Sequence, residues 1–533
     1  MLDALSLSTH PLVSIALLLA AVGFAQWLYE VATRPTVAKS ARPREWPEWT
    51  LPVFRNTFQT IIHAPHMYDF LTMHAERFKG QPYWVSLIGG PAAAVLSTPE
   101  QFEEVLKTHF ETFDKGDMMT ENLRDLLGNG IFAVDGDKWV RQRKTASNLF
   151  SLRSLRESMT ESIHKHALVL TAILQRSSQQ QPIDLFNLMN RFTIETFAEI
   201  GFGVELGSLD SEKDHPFQAA FDSAQRVLVY RFMRPAWFWK TQRYLNLGSE
   251  AGIKRNIQVI DDMVLGIIAQ SLENRRSQSH ISLSTLSGKK DIVSLFLDSV
   301  ENSNGGDDVG HEEAFDPVFL RDIVVNFLIA GRDTTAQALS WFFYCLSQHP
   351  EVERKIREEL MAKTPEIFSG EIATPSMELS QQLVYLEAAL RETLRLYPSV
   401  PVNIKQANKD VMLSDGTFIR KKEDAVISSY VLGRMSHVWG EDAKEFKPER
   451  WLDPVTGKLV AVSAFKFSAF HAGPRMCLGM NLAMMEMKIV AAMVVSKFRL
   501  ALVPGQKVTY DLSLTHPIKG ELLMTVVPVT SCS

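Results

Sequence analysis

The stretch Phe470-His471-Ala472-Gly473-Pro474-Arg475-Met476-Cys477-Leu478-Gly479 constrains this chain more than any other. Its glycines and proline disfavour regular structure, and an apolar helical pattern starts directly after it, over Asn481–Phe498. The segment therefore delivers a cysteine to the start of a helix. Backbone N–H groups and the helix dipole there are expected to lower the thiol pKa and favour thiolate. Gly473 and Gly479 let backbone come close to a flat ligand, and Arg475 supplies a fixed cation able to bind a carboxylate. A cysteine standing by itself is ordinarily a buried structural residue. The Gly-x-Arg-x-Cys-x-Gly surroundings argue against that for Cys477. Cys345 and Cys532 lack such neighbours and read as structural or incidental. Three cysteines make no disulfide framework for 533 residues, which indicates a reducing compartment. No C-x-x-C pair is present, which argues against a zinc ribbon.

The N-terminus reads as a separate unit. Pro11–Tyr29 carries no charge and at the helical rise reaches roughly 28 Å, close to the thickness of a bilayer's hydrocarbon core. Trp27 and Tyr29 end it, as interfacial aromatics do. A cleaved signal peptide would need a basic start, but Met1–His10 holds Asp3 and no Lys or Arg. Arg34, Lys39, Arg42 and Arg44 follow the segment, so the positive-inside rule places the rest of the chain in the cytosol. We therefore expect a membrane anchor over residues 1–30, a proline-containing linker over 31–52 (Pro35, Pro43, Pro47, Pro52), and one domain over 53–533.

Within that domain helical periodicity dominates. Pro99–His109, Asp137–Leu149, Leu155–Gln175, Asn187–Ile200, Lys254–Asn274, Asp316–His349, Pro350–Met361 and Glu378–Leu396 carry apolar residues at three and four spacing. Shorter strand-like runs cover Tyr83–Ile88, Ala92–Leu96, Val411–Ile419 (broken by the turn Ser414-Asp415-Gly416), Asp424–Ser429 and Leu522–Val529. Gln175–Gln181 and Glu301–Glu312 read as polar loops. With 46% hydrophobic residues the chain is too apolar for global disorder, and a net charge of −5 offers no basic excess for nucleic acid.

The pattern Phe470-x-x-Gly473-x-Arg475-x-Cys477-x-Gly479 resembles the haem-binding signature of the cytochrome P-450 superfamily, the haem-thiolate monooxygenases. The resemblance implies a mainly α fold with small β-sheets and haem b as cofactor. It makes Cys477 the axial ligand of the iron, whose electron donation favours O–O cleavage. Three further motifs fit. Ala330-Gly331-Arg332-Asp333-Thr334-Thr335 lies inside the long helical pattern Asp316–His349. A glycine, an acid and hydroxyls there are expected to weaken the helical ladder and open a groove for dioxygen and water. The resemblance gives Asp333 and Thr334 to proton delivery, and Ala330 and Gly331 to the haem face. The bland alternative is local bonding of Asp and Thr to their own backbone. Glu392-x-x-Arg395 and Arg450, within Phe446-Lys447-Pro448-Glu449-Arg450-Trp451, match a buried structural Glu-Arg-Arg cluster. Trp139 and Arg143 share a helix face and match a Trp-x-x-x-Arg pair whose cation meets a haem propionate; a solvated arginine is the alternative. Where the family often has a further propionate-binding arginine, this chain has Lys405, a point charge rather than a fork.

Gly433-Arg434-Met435, Trp439-Gly440, Glu445–Trp451, Phe113-Asp114-Lys115-Gly116, Leu396–Pro401 and Asp415-Gly416-Thr417 resemble the fatty-acid omega-hydroxylase branch of plants and fungi. The expected activity is hydroxylation of a fatty acid at or near its terminal carbon. Dioxygen and electrons from an NADPH-dependent flavoprotein reductase would drive it, with cytochrome b5 as a second donor, at the endoplasmic reticulum membrane. A sterol or other lipid substrate, or a non-oxygenase peroxide isomerase, are the alternatives; Asp333 with Thr334 counts against the isomerase. The basic and aromatic run Arg226–Tyr244 has a membrane-interface composition, with a core helix pair carrying solvated charges as the alternative. Which cation holds a substrate carboxylate is not legible.

Overall fold

The computed structural model describes, apart from the single residue Ala21, residues 41–151, 154–178, 181–211, 216–279, 291–301 and 316–529. The expected anchor, Pro11–Tyr29, and Cys532 lie outside the described residues, as do part of the linker and most of Glu301–Glu312. Among the described residues no helix is long and apolar enough to cross a membrane.

One helix organises the molecule. Pro317–Gln348 is buried on nearly all sides, and it packs against the helices Leu185–Phe202, Gly248–Ser279, Val384–Leu396 and Met480–Lys497. Its start is encoded locally: the Asp316 carboxylate accepts from the Val318 N–H, and Pro317 takes the first turn, where its missing donor is not needed. The all-round apolar pattern is what a helix enclosed by others requires.

The main sheet lies beside this bundle. Its order is Tyr83–Ser86, Ala92–Leu96, Asp424–Ile427, Asn403–Ala407, Phe113–Asp114. Three of the five strands come from residues 83–114 and two from residues 403–427. Ala93 pairs in parallel with Asp424, and Lys405 lies opposite Ala425 in an antiparallel pair. Phe113 pairs with Ala407, so the segment after residue 113 is tied to the strand that carries Lys405. A second sheet joins Ile183–Asp184, Leu523–Pro528 and Phe498–Leu502. Val411–Met412 and Phe418–Ile419 form the expected hairpin.

Several boundaries differ from the sequence expectation. Pro99–Glu103, held by a Thr98/Gln101 capping box, passes into a wider π turn over Glu104–Thr108. Leu155–Met159 is likewise a π turn before the helix Thr160–Ser177. The expected helix Glu378–Leu396 is two: Met377–Gln381 and Val384–Leu396. Glu359, from a distant helix, accepts from the Tyr385 and Leu386 N–H groups at 2.7 and 2.9 Å and so caps the second one. The run Arg226–Tyr244 spans the end of the helix Pro216–Phe232 and the helix Ala236–Tyr244.

Candidate active site

A cavity of about 950 Å³ opens below the central helix and reaches Cys477. The helix Gly136–Ser147 projects Trp139 and Arg143 into its wall. The Arg475 guanidinium lies 4.4 Å from the Trp139 ring centre, and that of Arg143 5.8 Å from it. Arg143 donates to the Met476 carbonyl at 2.7 Å. Arg475 donates to the Val134 carbonyl at 3.1 Å and to the Asp135 carboxylate. Residues more than 330 positions apart in the chain thus form one stack beside the cysteine. Gly473 has φ of +68°, and a Cβ there would stand 2.2 Å from the Leu106 carbonyl oxygen, so both backbone strain and space demand glycine. His471 sits at φ +62° and ψ −176°, a region essentially reserved for glycine, so the loop carries strain next to the cysteine.

Cys477 corrects one expectation. Its accessible surface is cavity wall, and the protein packed around that wall pushes the thiol pKa up. The Gly479 N–H and Arg143 pull it down, but burial is the larger effect. The helix begins only at Met480, so the dipole acts on Cys477 from outside the first turn. The local backbone therefore does not by itself lower the pKa of this thiol.

Haem fits these residues. Lys405 is 2% exposed, and its ammonium has no hydrogen-bond partner among the described residues. Burial, with Lys115 and Arg475 nearby, drives its pKa well below the ordinary value. Lys115, which sequence reasoning placed only in a branch motif, is buried in the same cluster, with its pKa lowered to about 8 by burial and by Arg475. Its place is fixed by its neighbours. The Lys115 N–H donates to Asp135 at 2.8 Å. A Cβ on Gly116 would stand 2.5 Å from the Gln406 Cβ. Lys115, Lys405 and Arg475, with Arg143 beside Arg475, gather near only two carboxylates, Asp135 and Asp114, an excess of buried positive charge that further anions would relieve. The two propionates of haem would supply them. Phe470, Gly479 and Ala330 line the cavity, and a Cβ on Gly479 would stand 3.9 Å from the Cys477 sulfur.

The central helix runs unbroken through Ala330–Thr335, so the expected opening of its ladder is not seen. Gly331 has another reason to be glycine: a Cβ there would lie 2.1 Å from the Phe197 ring. Thr334 lines the cavity, and its hydroxyl donates to the Ala330 carbonyl at 2.6 Å, the local bond named above as the bland alternative. Asp333 does not line the cavity. It is 2% exposed, accepts from Arg332 at 2.7 Å and from Gln225 at 2.6 Å, and has its pKa raised by burial against the pull of Arg332. Adjacent helical residues are about 100° apart, and here Thr334 meets the cavity while Asp333 turns to Arg332 and Gln225.

Glu392, fully buried, accepts two bonds from Arg395, both 2.7 Å, and one each from Arg450 at 3.3 Å and the Trp451 indole at 2.9 Å. Arg395 also donates to the carbonyls of Gly433, Ala443 and Glu445, and Arg450 to those of Trp439 and Asp442. A Cβ on Gly433 would lie 2.2 Å from the Arg395 carbonyl oxygen, which explains that glycine. The network lies away from the cavity and braces it.

The family model described as Cytochrome P450 matches residues 45–524. Among curated proteins, Cytochrome P450 86B1 of Arabidopsis thaliana is 37% identical over 472 residues, 86% of this chain and 81% of that protein. Cytochrome P450 704C1 of Pinus taeda is 36% identical over 495 residues, 90% and 92% of the two chains. Cytochrome P450 94B1 of Arabidopsis thaliana is 32% identical over 543 residues, 100% and 99%.

Proposed function

The chain belongs to the cytochrome P450 family, and on that premise we propose that it hydroxylates a fatty acid at or near the terminal carbon, with electrons from an NADPH-dependent flavoprotein reductase. Family membership makes it a haem b monooxygenase that uses dioxygen, a redox partner and a lipophilic substrate. The observation that carries the proposal is the cavity. Its walls are apolar, with Phe197, Val229, Phe232, Phe327 and Leu514 above the cysteine loop. The resemblance of the motifs around Lys115, Gly433 and Trp451 to omega-hydroxylases supports a fatty acid as that lipid.

Haem, when bound, supplies the oxygen activation. Cys477 would ligate its iron, and Arg143, Arg475, Lys405 and Lys115 would hold its carboxylates, with both arginines against the Trp139 ring. The Thr334 hydroxyl can turn from the Ala330 carbonyl toward the cavity and pass a proton there. Asp333 would act from behind it, holding a proton more readily than a surface aspartate and reaching the cavity only by leaving Arg332. The apolar walls keep bulk water from the reacting carbon.

We place the protein in the endoplasmic reticulum membrane with this domain in the cytosol. The charge-free Pro11–Tyr29 and the cations after it support that reading, as do the exposed Trp237, Phe238, Tyr244, Leu245 and Leu247 on one segment. Spectral titration of the haem protein with fatty acids, sterols and terpenes tests the substrate. Fatty acids should move the Soret band by displacing iron-bound water; a response to sterols with none to fatty acids overturns the assignment.

A further inference from the structure

The segment Arg226–Tyr244 carries five cations, and the structure separates one from the rest. Arg226 pairs with Asp511 at 2.8 Å. Arg231, buried, pairs with Glu250 at 2.6 Å and Asp125 at 2.8 Å. Lys240 pairs with Glu121 at 2.6 Å, and Arg243 with Asp125 at 2.8 Å. Among the described residues Arg234 pairs with no carboxylate. Its described partners are aromatic faces, Tyr230 at 5.5 Å and Phe238 at 5.8 Å.

Arg234 also lines the cavity, half-buried and next to the exposed Ala236, where the wall meets solvent. The other cations of that wall are committed. Lys422 pairs with Asp117 at 2.6 Å, Arg231 with Glu250, and Arg475 with Asp135, while Arg143 and Lys115 belong to the propionate cluster. The rim carboxylates Asp117 and Glu121 are likewise neutralised by Lys422 and Lys240. An anion arriving at the rim therefore meets one uncompensated charge. A guanidinium held on two aromatic faces keeps its edge free for the forked hydrogen bonding that a carboxylate takes.

We propose that Arg234 anchors the carboxylate of the substrate at the rim of the cavity, so that the chain hangs through the apolar walls with its far end toward Cys477. The proposal rests on the fatty-acid reading and deepens it, since a substrate held by its acid end presents the opposite end to the reacting centre.

The test is spectral titration of the detergent-solubilised haem protein with a saturated fatty acid and with its methyl ester. Arg234→Leu should cut the acid-over-ester affinity ratio at least about tenfold, about 1.4 kcal/mol. Arg234→Lys should restore part of the ratio, because the point charge remains without the fork. The ester titration shows that each variant is folded and loaded. An unchanged ratio in Arg234→Leu overturns the anchor while leaving the substrate class intact. Failure of the wild-type protein to bind any fatty acid sinks the substrate class itself. Arg234 could instead meet a lipid phosphate. Loss of binding to vesicles containing anionic phospholipid, with the acid-over-ester ratio unchanged, would assign it there and overturn the proposal.

Discussion

Gly331 and Thr334 share one turn of the central helix and differ in what the fold asks of them. Gly331 is glycine because Phe197 occupies the space of its Cβ, so its role is close packing rather than a broken helix. Thr334 could satisfy its hydroxyl locally on Ala330, and a serine or threonine in any helix can do the same. What singles it out is its position on the cavity wall. Removing the hydroxyl leaves the helix intact, because the main-chain ladder does not depend on it. We therefore expect Thr334→Ala to load with haem normally and yet release more hydrogen peroxide per NADPH consumed, by several-fold. Unchanged coupling between NADPH use and product would reject the proton-passing role. Asp333 is the contrasting case. Its carboxylate is committed to Arg332 and Gln225, away from the cavity.

At the scale of elements, the helix Val384–Leu396 shows how a local pattern gains its meaning from neighbours. Its first turn is capped by Glu359 from another helix, and its last turn carries Glu392 and Arg395 into a site with Arg450 and Trp451. A Glu and an Arg three residues apart are commonplace on solvated helix faces, where such a pair contributes a few tenths of a kcal/mol. Here both are sealed from water, at 0% and 2% exposure, and the balance reverses. Glu392→Gln leaves Arg395 as uncompensated buried charge, while Arg450 keeps the Asp442 carboxylate at 2.9 Å; breaking the buried pair costs on the order of 3–5 kcal/mol. Thermal unfolding should show a large drop in Tm, together with reduced haem content on purification. A Tm near that of the wild type would mean that the carbonyls around the two arginines suffice without the carboxylate.

Across the whole molecule, burial leaves a pH signature. Burial and nearby Glu423 and Asp117 raise the pKa of Asp424 to about 7, and burial raises that of Glu486 to about 8. Between their ordinary values and these raised ones the folded protein binds more protons than the unfolded chain, so stability falls as pH rises through that window. Glu486→Gln removes one of the two groups. It should raise Tm relative to wild type at pH 8 by at least ~2 °C and change it far less at pH 5; an equal shift at both would show a packing effect instead. The same long-range enclosure separates what the sequence determined from what the tertiary structure decided. The motifs that carry the family resemblance pointed to Cys477, Arg475, Trp139, Arg143 and the Glu392 network, because the residue types and offsets that make up a motif are local facts. Helix existence was legible too, since apolar periodicity reports which face is buried. Four things were not. The split at Gln382, the raised pKa of Cys477, the burial of Lys115 with Lys405, and the isolation of Arg234 among five cations each depend on groups distant in sequence. Burial and ion pairing are set by which residues the folded chain brings within a few ångströms, and no local pattern carries that information.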